Sequence, residues 1–255
     1  MKKGHVTLVG AGPGDPELLT LKAVKALAQA DVIVHDRLVT EAILAVAPES
    51  ATRISVGKAP GRHSFRQEEI NDLLVHLGAK PQHVVRLKGG DPFIFGRGCE
   101  EIAALDAAGI SWSVVPGVTA AQGCAASAGI PLTHRGLARS VRYVTGHCRE
   151  GEPLDLDWAG LADPETTLVF YMGHAAAPDI SRELTAHGLS GDTPTLCISQ
   201  GTTPQERRVS TRLDRLASDL REAQLPGPLL IMIGKAIAQA RTGDRRRVPE
   251  ARISD

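Results

Sequence analysis

The sequence predicts an α/β protein of two domains. Three observations carry this. In residues 1–116, short Val/Ile/Leu runs alternate with stretches of helical period, the pattern of parallel strands with helices on both faces of the sheet. In residues 117–240 the strand-like runs continue with fewer helices between them, which predicts a mixed sheet. Pro116-Gly117 divides the two patterns and reads as a hinge. Residues 241–255 are charged, lack apolar period and read as a loose tail.

In the first half, Val6–Val9 reads as a strand. Asp15 can cap a helix with Pro16 at its first position and Glu17 in its first turn, and Leu21, Val24 and Leu27 continue its period. Val32–Val34 and Arg53–Val56 are the next strands. Ser64 and Gln67 have capping-box spacing ahead of Ile70, Leu73, Leu74 and Leu77 on one helical face. Val84–Leu87 and Trp112–Val115 are strands, with a helix from about Glu100 to Ala108 between them. In the second half, strands are expected at Val141–Thr145, Thr167–Met172, Thr195–Ser199, Arg207–Ser210 and Leu229–Ile233, and helices at Ile180–His187 and Arg212–Leu220.

Composition excludes several classes. Lys+Arg and Asp+Glu are both 29, so the basic surplus of a general nucleic-acid binder is missing. No apolar run reaches the ~18 residues of a membrane helix, and Met1-Lys2-Lys3 leads straight into a strand-like segment without a signal-peptide core. A cytoplasmic protein without membrane or nucleic-acid partners is expected. Aromatics make up 3% of the chain, so its core must rest on Val, Leu, Ile and Ala. Cys99, Cys124, Cys148 and Cys197 form no Cys-x-x-Cys pair, so no metal site or redox motif is expected, and buried reduced thiols are.

Two glycine-rich loops are the candidate ligand sites. Gly10-Ala11-Gly12-Pro13-Gly14-Asp15 stands between a strand and a helix, where a dinucleotide loop would stand, with Asp36 placed to meet a ribose. Pro13 removes a backbone donor, however, and Asp15 brings a negative charge, so a pyrophosphate is disfavoured. A tight turn without a ligand is the alternative. The second loop, in VVRLKGGDPFIFGRGC (Val84–Cys99), leaves an apolar strand through Gly89-Gly90-Asp91-Pro92 and ends in Gly96-Arg97-Gly98. It exposes backbone beside one carboxylate and one guanidinium.

These loops occur in order with Asp36-Arg37-Leu38, Val56-Gly57-Lys58, Gln67–Asn71, Val115–Ala121, Gly129–Arg135, Thr145-Gly146-His147, Phe170–Gly173 and Gly201–Pro204. Over about residues 5–237 the chain resembles the tetrapyrrole methylase family, and within it the enzymes that act on uroporphyrinogen III. The resemblance implies two α/β domains with the active cleft between them, usually in a homodimer. It implies S-adenosylmethionine as methyl donor, S-adenosylhomocysteine as by-product and no metal. The acceptor it implies is uroporphyrinogen III, methylated at ring positions 2 and 7 through precorrin-1 to precorrin-2, for cobalamin, sirohaem or haem d1. Carried onto this sequence, donor contacts fall on Pro13, Gly89, Gly90, Asp91, Ile94, Thr119, Ala120, Met172 and Gly201. Asp36 and Lys58 match the family's proton acceptor and donor, and Arg97 an arginine facing the tetrapyrrole. His35, Cys99 and Ser127 stand where the family usually has tyrosine, glycine and tyrosine.

The chemistry agrees with these residue types. A sulfonium is already an activated donor, so methyl transfer needs positioning and a modest base rather than a metal. Asp91 can accept hydrogen bonds from hydroxyl or ammonium groups, or simply shape an Asp-Pro turn. Arg97, between two glycines, has a fork free to clamp an acceptor carboxylate, or is a loop charge. Asp36 could instead cap a turn, Lys58 be a solvated lysine and Met172 a core residue. His134 and His147, near Arg135, Arg139, Arg142 and Arg149, are candidates for a local basic patch that contacts substrate. A nicotinamide-dependent dehydrogenase, a methylase of a later corrin precursor and a non-catalytic sensor of the donor remain the rival readings. No dehydrogenase or chelatase segment is recognised, so oxidation and metal insertion are expected elsewhere.

Overall fold

A computed structural model describes residues 3–57, 65–147 and 154–239. The first sheet has five strands: β1 (His5–Gly10), β2 (Val32–His35), β3 (Thr52–Ser55), β4 (His83–Lys88) and β5 (Ser111–Val115). All pair in parallel, in the order β3-β2-β4-β1-β5. Helices α1 (Leu21–Ala28) and α2 (Glu41–Leu44) cover one face, and α3 (Gln67–Gly78) and α4 (Gly98–Ala107) the other. Alternation along the strands separates the two cores. Val9, Ile33, Val85 and Leu87 pack with Ala23, Leu27 and Ile43, whereas Val6, Leu8, Val34 and Val84 pack with Ile70, Leu74 and Leu105.

The second sheet contains β6 (Ser140–Thr145), β7 (Thr166–Tyr171), β8 (Pro194–Ser199), β9 (Arg207–Arg212) and β10 (Leu229–Ile233), in the order β6-β7-β10-β8-β9. Only β6 and β7 are parallel, so the sheet is mixed, as the sparser helices predict. Helix α5 (Ala120–Ala128) lies on one face, through Ala121, Cys124, Ala125 and Ala128 against Val169, Leu196, Ile198 and Leu230. Helices α7 (Ala177–Ala186) and α8 (Leu216–Ala223) cover the other, and the short α6 (Trp158–Leu161) closes its rim.

Several elements differ from expectation. The expected first helix is two: a 3₁₀ turn at Pro16–Leu18 capped by Asp15, then α1 with Thr20 as its own N-cap. The extended Leu19 and Thr20 backbone breaks the run, and Thr20 Oγ1 accepts from Ala23 N–H at 3.1 Å. As a result Leu21 is exposed, not core. Helix α3 begins at Gln67 behind Arg66, whose N–H donates to Glu69 Oε2 at 2.6 Å, so Gln67 is not the third residue of a capping box. Ser64 lies outside the described residues. Met172 is not in β7, because its backbone turns left-handed (φ 55°) at the strand end. Cys124 and Cys197 are buried, but Cys99 is exposed in the first turn of α4, and Cys148 lies outside the described residues. The expected tail at 241–255 also lies outside them.

Candidate active site

The crossovers after β1 and β4 leave the sheet toward opposite faces, α1 on one and α4 on the other. In parallel α/β sheets, such a divergence at the carboxyl ends of the strands is where ligands bind. Both glycine loops start there. They are joined by Gly12 N–H to Gly90 O (3.2 Å) and Gly90 N–H to Gly12 O (2.8 Å). Gly10, Gly90 and Gly117 meet so closely that a Cβ on Gly117 would stand 2.2 Å from Gly90 O.

A cavity of about 360 Å³ opens at this point, within the size range of small-molecule sites. Its wall includes all nine expected donor contacts: Pro13, Gly89, Gly90, Asp91, Ile94, Thr119, Ala120, Met172 and Gly201. Asp36 and Arg97 line it too. His134 and His147 do not. Both are exposed: His134 pairs with Ala138 in an isolated bridge, its Nδ1 2.8 Å from Arg135 O, and His147 follows β6 with its N–H on Thr145 Oγ1. Lys58 lies outside the described residues.

Two chemically different groups of residues line the cavity. One is Pro13, Asp91, Thr119, Ala120, Met172, Gly201 and Leu230. Helix α5 starts here with a full capping box between Thr119 and Gln122, and the Tyr171 hydroxyl accepts from Ala121 N–H at 3.1 Å. Ala120 N–H makes no hydrogen bond among the described residues. A Cβ on Gly90 would stand 3.8 Å in front of it, so glycine there leaves an open cradle between loop and helix N-terminus. The Asp91 carboxylate ties its loop to this group. Its Oδ1 accepts from Phe93 N–H (2.9 Å) and its Oδ2 from Gly117 N–H (3.0 Å). An apolar slot, a free backbone donor and a carboxylate with spare lone pairs fit an aminoacyl nucleoside such as S-adenosylmethionine.

The other group is Asp36, Leu38, Gln67, Ile70, Arg86, Lys88 and Arg97. It contains an ion network that the sequence reading missed. Buried Glu101 on α4 accepts from Arg86 Nε (3.0 Å) and Lys88 Nζ (2.8 Å), and Arg86 Nη2 donates to Asp36 Oδ1 at 2.5 Å. Burial pushes the Lys88 ammonium below its ordinary value, and the Arg86 charge adds to this against Glu101 and Asp36. For Arg86 burial acts in the same direction, but its two carboxylate partners outweigh it and hold the guanidinium above its ordinary value. The signal was present: Arg86 and Lys88 are charges two apart in an otherwise apolar strand, hence on one face with Val84.

The Arg97 fork is not free as expected. It grips Glu100 at both oxygens, at 2.7 and 2.6 Å, and this pair raises the Arg97 pKa. Its backbone is left-handed (φ 58°), as are Phe95 (53°) and Met172 (55°) on the cavity wall and Gln200 (49°) and Thr202 (64°) beside Gly201. Each such residue costs about 1–2 kcal/mol. Strain concentrated around one cavity is the mark of a functional site. Phe95 also packs on Tyr171, ring centroids 5.1 Å apart, across the cavity.

A family model described as "Tetrapyrrole (Corrin/Porphyrin) Methylases" matches residues 5–217. The chain is 56% identical over 237 residues to uroporphyrinogen-III C-methyltransferase of Paracoccus denitrificans, covering 93% of this chain and 83% of that one. It is 53% identical to siroheme synthase of Pseudomonas paraeruginosa, where 93% of this chain spans 51% of the longer protein. A crystal structure of uroporphyrin-III C-methyl transferase from Thermus thermophilus, complexed with S-adenosylhomocysteine, superposes with a TM-score of 0.78. Its identity is 44%, covering 92% of this chain and 99% of that one. With its parallel and mixed sheets meeting at the glycine loops, and with the family model matching nearly the whole described chain, this protein belongs to the tetrapyrrole (corrin/porphyrin) methylases.

Proposed function

We propose that this chain methylates uroporphyrinogen III from S-adenosylmethionine, at ring positions 2 and 7, yielding precorrin-2 through precorrin-1. The observation that carries the reading is the lining of the cavity. All nine residues expected around the donor line it, and so do the charged residues Asp36, Arg86, Lys88 and Arg97. The relatives named above support the choice of acceptor.

When bound, the donor supplies an electrophilic methyl group on a sulfonium. The rest falls to the protein. Pro13, Ile94 and Leu230 supply apolar walls, Asp91 accepts from hydroxyl or ammonium groups, and the α5 N-terminus meets a carboxylate. Positioning of this kind contributes ~7–11 kcal/mol to a bimolecular transfer. Arg97 exchanges Glu100 for an acceptor carboxylate. The Arg97–Glu100 pair is half exposed and worth about 0.2–1 kcal/mol, so a buried carboxylate can displace it. Asp36 is held by Arg86 through Oδ1, while its Oδ2 makes no hydrogen bond among the described residues and is the proposed proton acceptor. Lys58 is the proposed proton donor by resemblance. We take the enzyme to work in the cytoplasm as a homodimer, which sedimentation analysis would test. Among the described residues, no helix is long and apolar enough to cross a membrane.

The deciding experiment is anaerobic incubation with methyl-labelled S-adenosylmethionine and freshly reduced uroporphyrinogen III, read by mass. Two methyl groups gained is the expected result. No transfer, with donor binding intact, would overturn the acceptor in favour of a later corrin precursor or a sensor.

A further inference from the structure

We propose that Lys88 is an acceptor-binding residue, presented as a buried ammonium ion to a carboxylate of the tetrapyrrole and held in that state by Glu101. The inference rests on the methyltransferase reading and deepens it.

The geometry leaves Lys88 with capacity to spare. Its side chain is 3% exposed, yet it borders the cavity. An ammonium has three donors, and among the described residues one is used, to Glu101 Oε1 at 2.8 Å. That same oxygen also takes Arg86 Nε at 3.0 Å and Gln67 Nε2 at 3.4 Å, so three donors share it. Glu101 Oε2 is buried without a partner among the described residues. Arg86 is satisfied independently through Asp36, Val34 O and Leu87 O. Lys88 is therefore the member of the network with donors left over. A buried charge with unused donors is costly unless something arriving in the cavity completes it.

Charge identifies the arriving group. The charged groups acting on Lys88 are Glu101 and, farther out, Glu100 on α4, Arg86 on its own strand and Asp36 after β2, with uncharged Gln67 on α3 sharing Glu101 Oε1. The donor is a sulfonium cation, which an ammonium would repel. A polycarboxylate acceptor is complementary, and Lys88 belongs to the hydrogen-bonded group of Glu101, Arg86, Gln67 and Asp36 that lines the cavity. Burial and the Arg86 charge draw the Lys88 pKa down, and Glu101 opposes them. Removing the Glu101 charge lowers it further, so less of the ammonium form remains at alkaline pH.

The test combines three variants with two readouts. In Lys88→Met, S-adenosylhomocysteine affinity should stay within about twofold of wild type while the acceptor KM rises about tenfold or more, the loss expected for one charge-assisted hydrogen bond. In Glu101→Gln, the alkaline limb of acceptor kcat/KM should move to lower pH, with S-adenosylhomocysteine affinity unchanged across the same range. A merely structural role would not move that limb. In Lys88→Arg, whose charge does not titrate, the limb should disappear, and this variant decides the matter if Glu101→Gln fails to fold. An unchanged acceptor KM in Lys88→Met, or alkaline limbs in Glu101→Gln and Lys88→Arg that superpose on wild type, would overturn the proposal alone. Failure of the wild type to methylate uroporphyrinogen III would instead overturn the underlying reading, and this proposal with it.

Discussion

Asp91 shapes its loop with the same carboxylate that is proposed to meet the donor. The turn-forming and ligand-binding readings of its sequence context are not exclusive. Each carboxylate oxygen accepts one backbone N–H, from Phe93 and from Gly117, which fixes the loop to the end of β5. A carboxylate has about four acceptor positions, so two remain for a ligand. Asp91→Ala loses both kinds of contact and should weaken S-adenosylhomocysteine binding by about tenfold or more in calorimetry, the equivalent of about 1.5–3 kcal/mol for a charged hydrogen bond. Asp91→Asn keeps one acceptor oxygen and should lose less. Unchanged affinity in the alanine variant would remove Asp91 from the donor site. Arg97→Ala has the opposite signature. Its partner is exposed Glu100 rather than the loop backbone, so turnover should collapse while donor affinity holds. Equal loss of both would sink its role as an acceptor clamp.

At the scale of elements, the site depends on three strands ending at one point. Gly10 closes β1, Gly90 follows β4 and Gly117 follows β5, and their backbones are in contact. A Cβ on Gly117 would meet Gly90 O at 2.2 Å and Gly10 Cα at 2.8 Å, with backbone rather than a flexible side chain in the way. Gly117→Ala should therefore destabilise by about 1–3 kcal/mol, the usual range for overpacking, and abolish donor binding by parting the two loops. Gly129 at the end of α5 is the control: it is left-handed (φ 67°), but no described residue lies within 4 Å of a Cβ there. Gly129→Ala should cost about 1–2 kcal/mol of backbone strain and leave donor affinity intact. Thermal unfolding with and without S-adenosylhomocysteine separates the two, and equal ligand stabilisation in Gly117→Ala would refute the close-contact argument. The strands were legible because Val and Ile cluster in short runs with turn residues between them. Helix α5 was not, because Ala-Ala-Gln-Gly-Cys-Ala-Ala-Ser-Ala has no large apolar residue to mark a period, and its burial comes from the small side chains that let it approach the second sheet. The break before α1 was hidden for a different reason: Thr20 caps a helix whose apolar spacing continues across the break.

The molecule as a whole brings two sheets to one cavity, and here the sequence is least explicit. Glycine loops can be read locally, since their conformational freedom is a property of the residue itself. The partner of Arg86 cannot, because Glu101 lies one helix away and meets it only through packing. The same holds for Glu206, which links three segments. It accepts from Thr202 N–H (2.6 Å), Ser127 Oγ (2.7 Å) and Arg208 Nε (2.6 Å), joining the β8–β9 connection to α5. Thr202 Oγ1 in turn accepts from Asp15 N–H (3.2 Å) in the first glycine loop. The short hydroxyl of Ser127 makes this link. Burial pushes the Glu206 carboxyl up, but its donors outweigh burial, and the net pKa falls below the ordinary 4.5. A carboxyl with a depressed folded-state pKa adds stability that is fully present above the unfolded-state value and is lost as pH falls through the folded-state value. Glu206→Gln should accordingly be less stable than wild type at neutral pH, by about 1.5–3 kcal/mol for one charged hydrogen bond lost. The gap should close as the pH drops below 4.5 and wild-type Glu206 takes up its proton. Urea unfolding of both proteins at pH 7 and at progressively lower pH measures this directly. A gap of constant size would show that the carboxylate charge does not hold the Gln200–Thr202 turn. A gap that closes while S-adenosylhomocysteine affinity falls in step would tie this remote carboxylate to the donor-binding residues of the cavity, through Thr202 and the neighbouring Gly201.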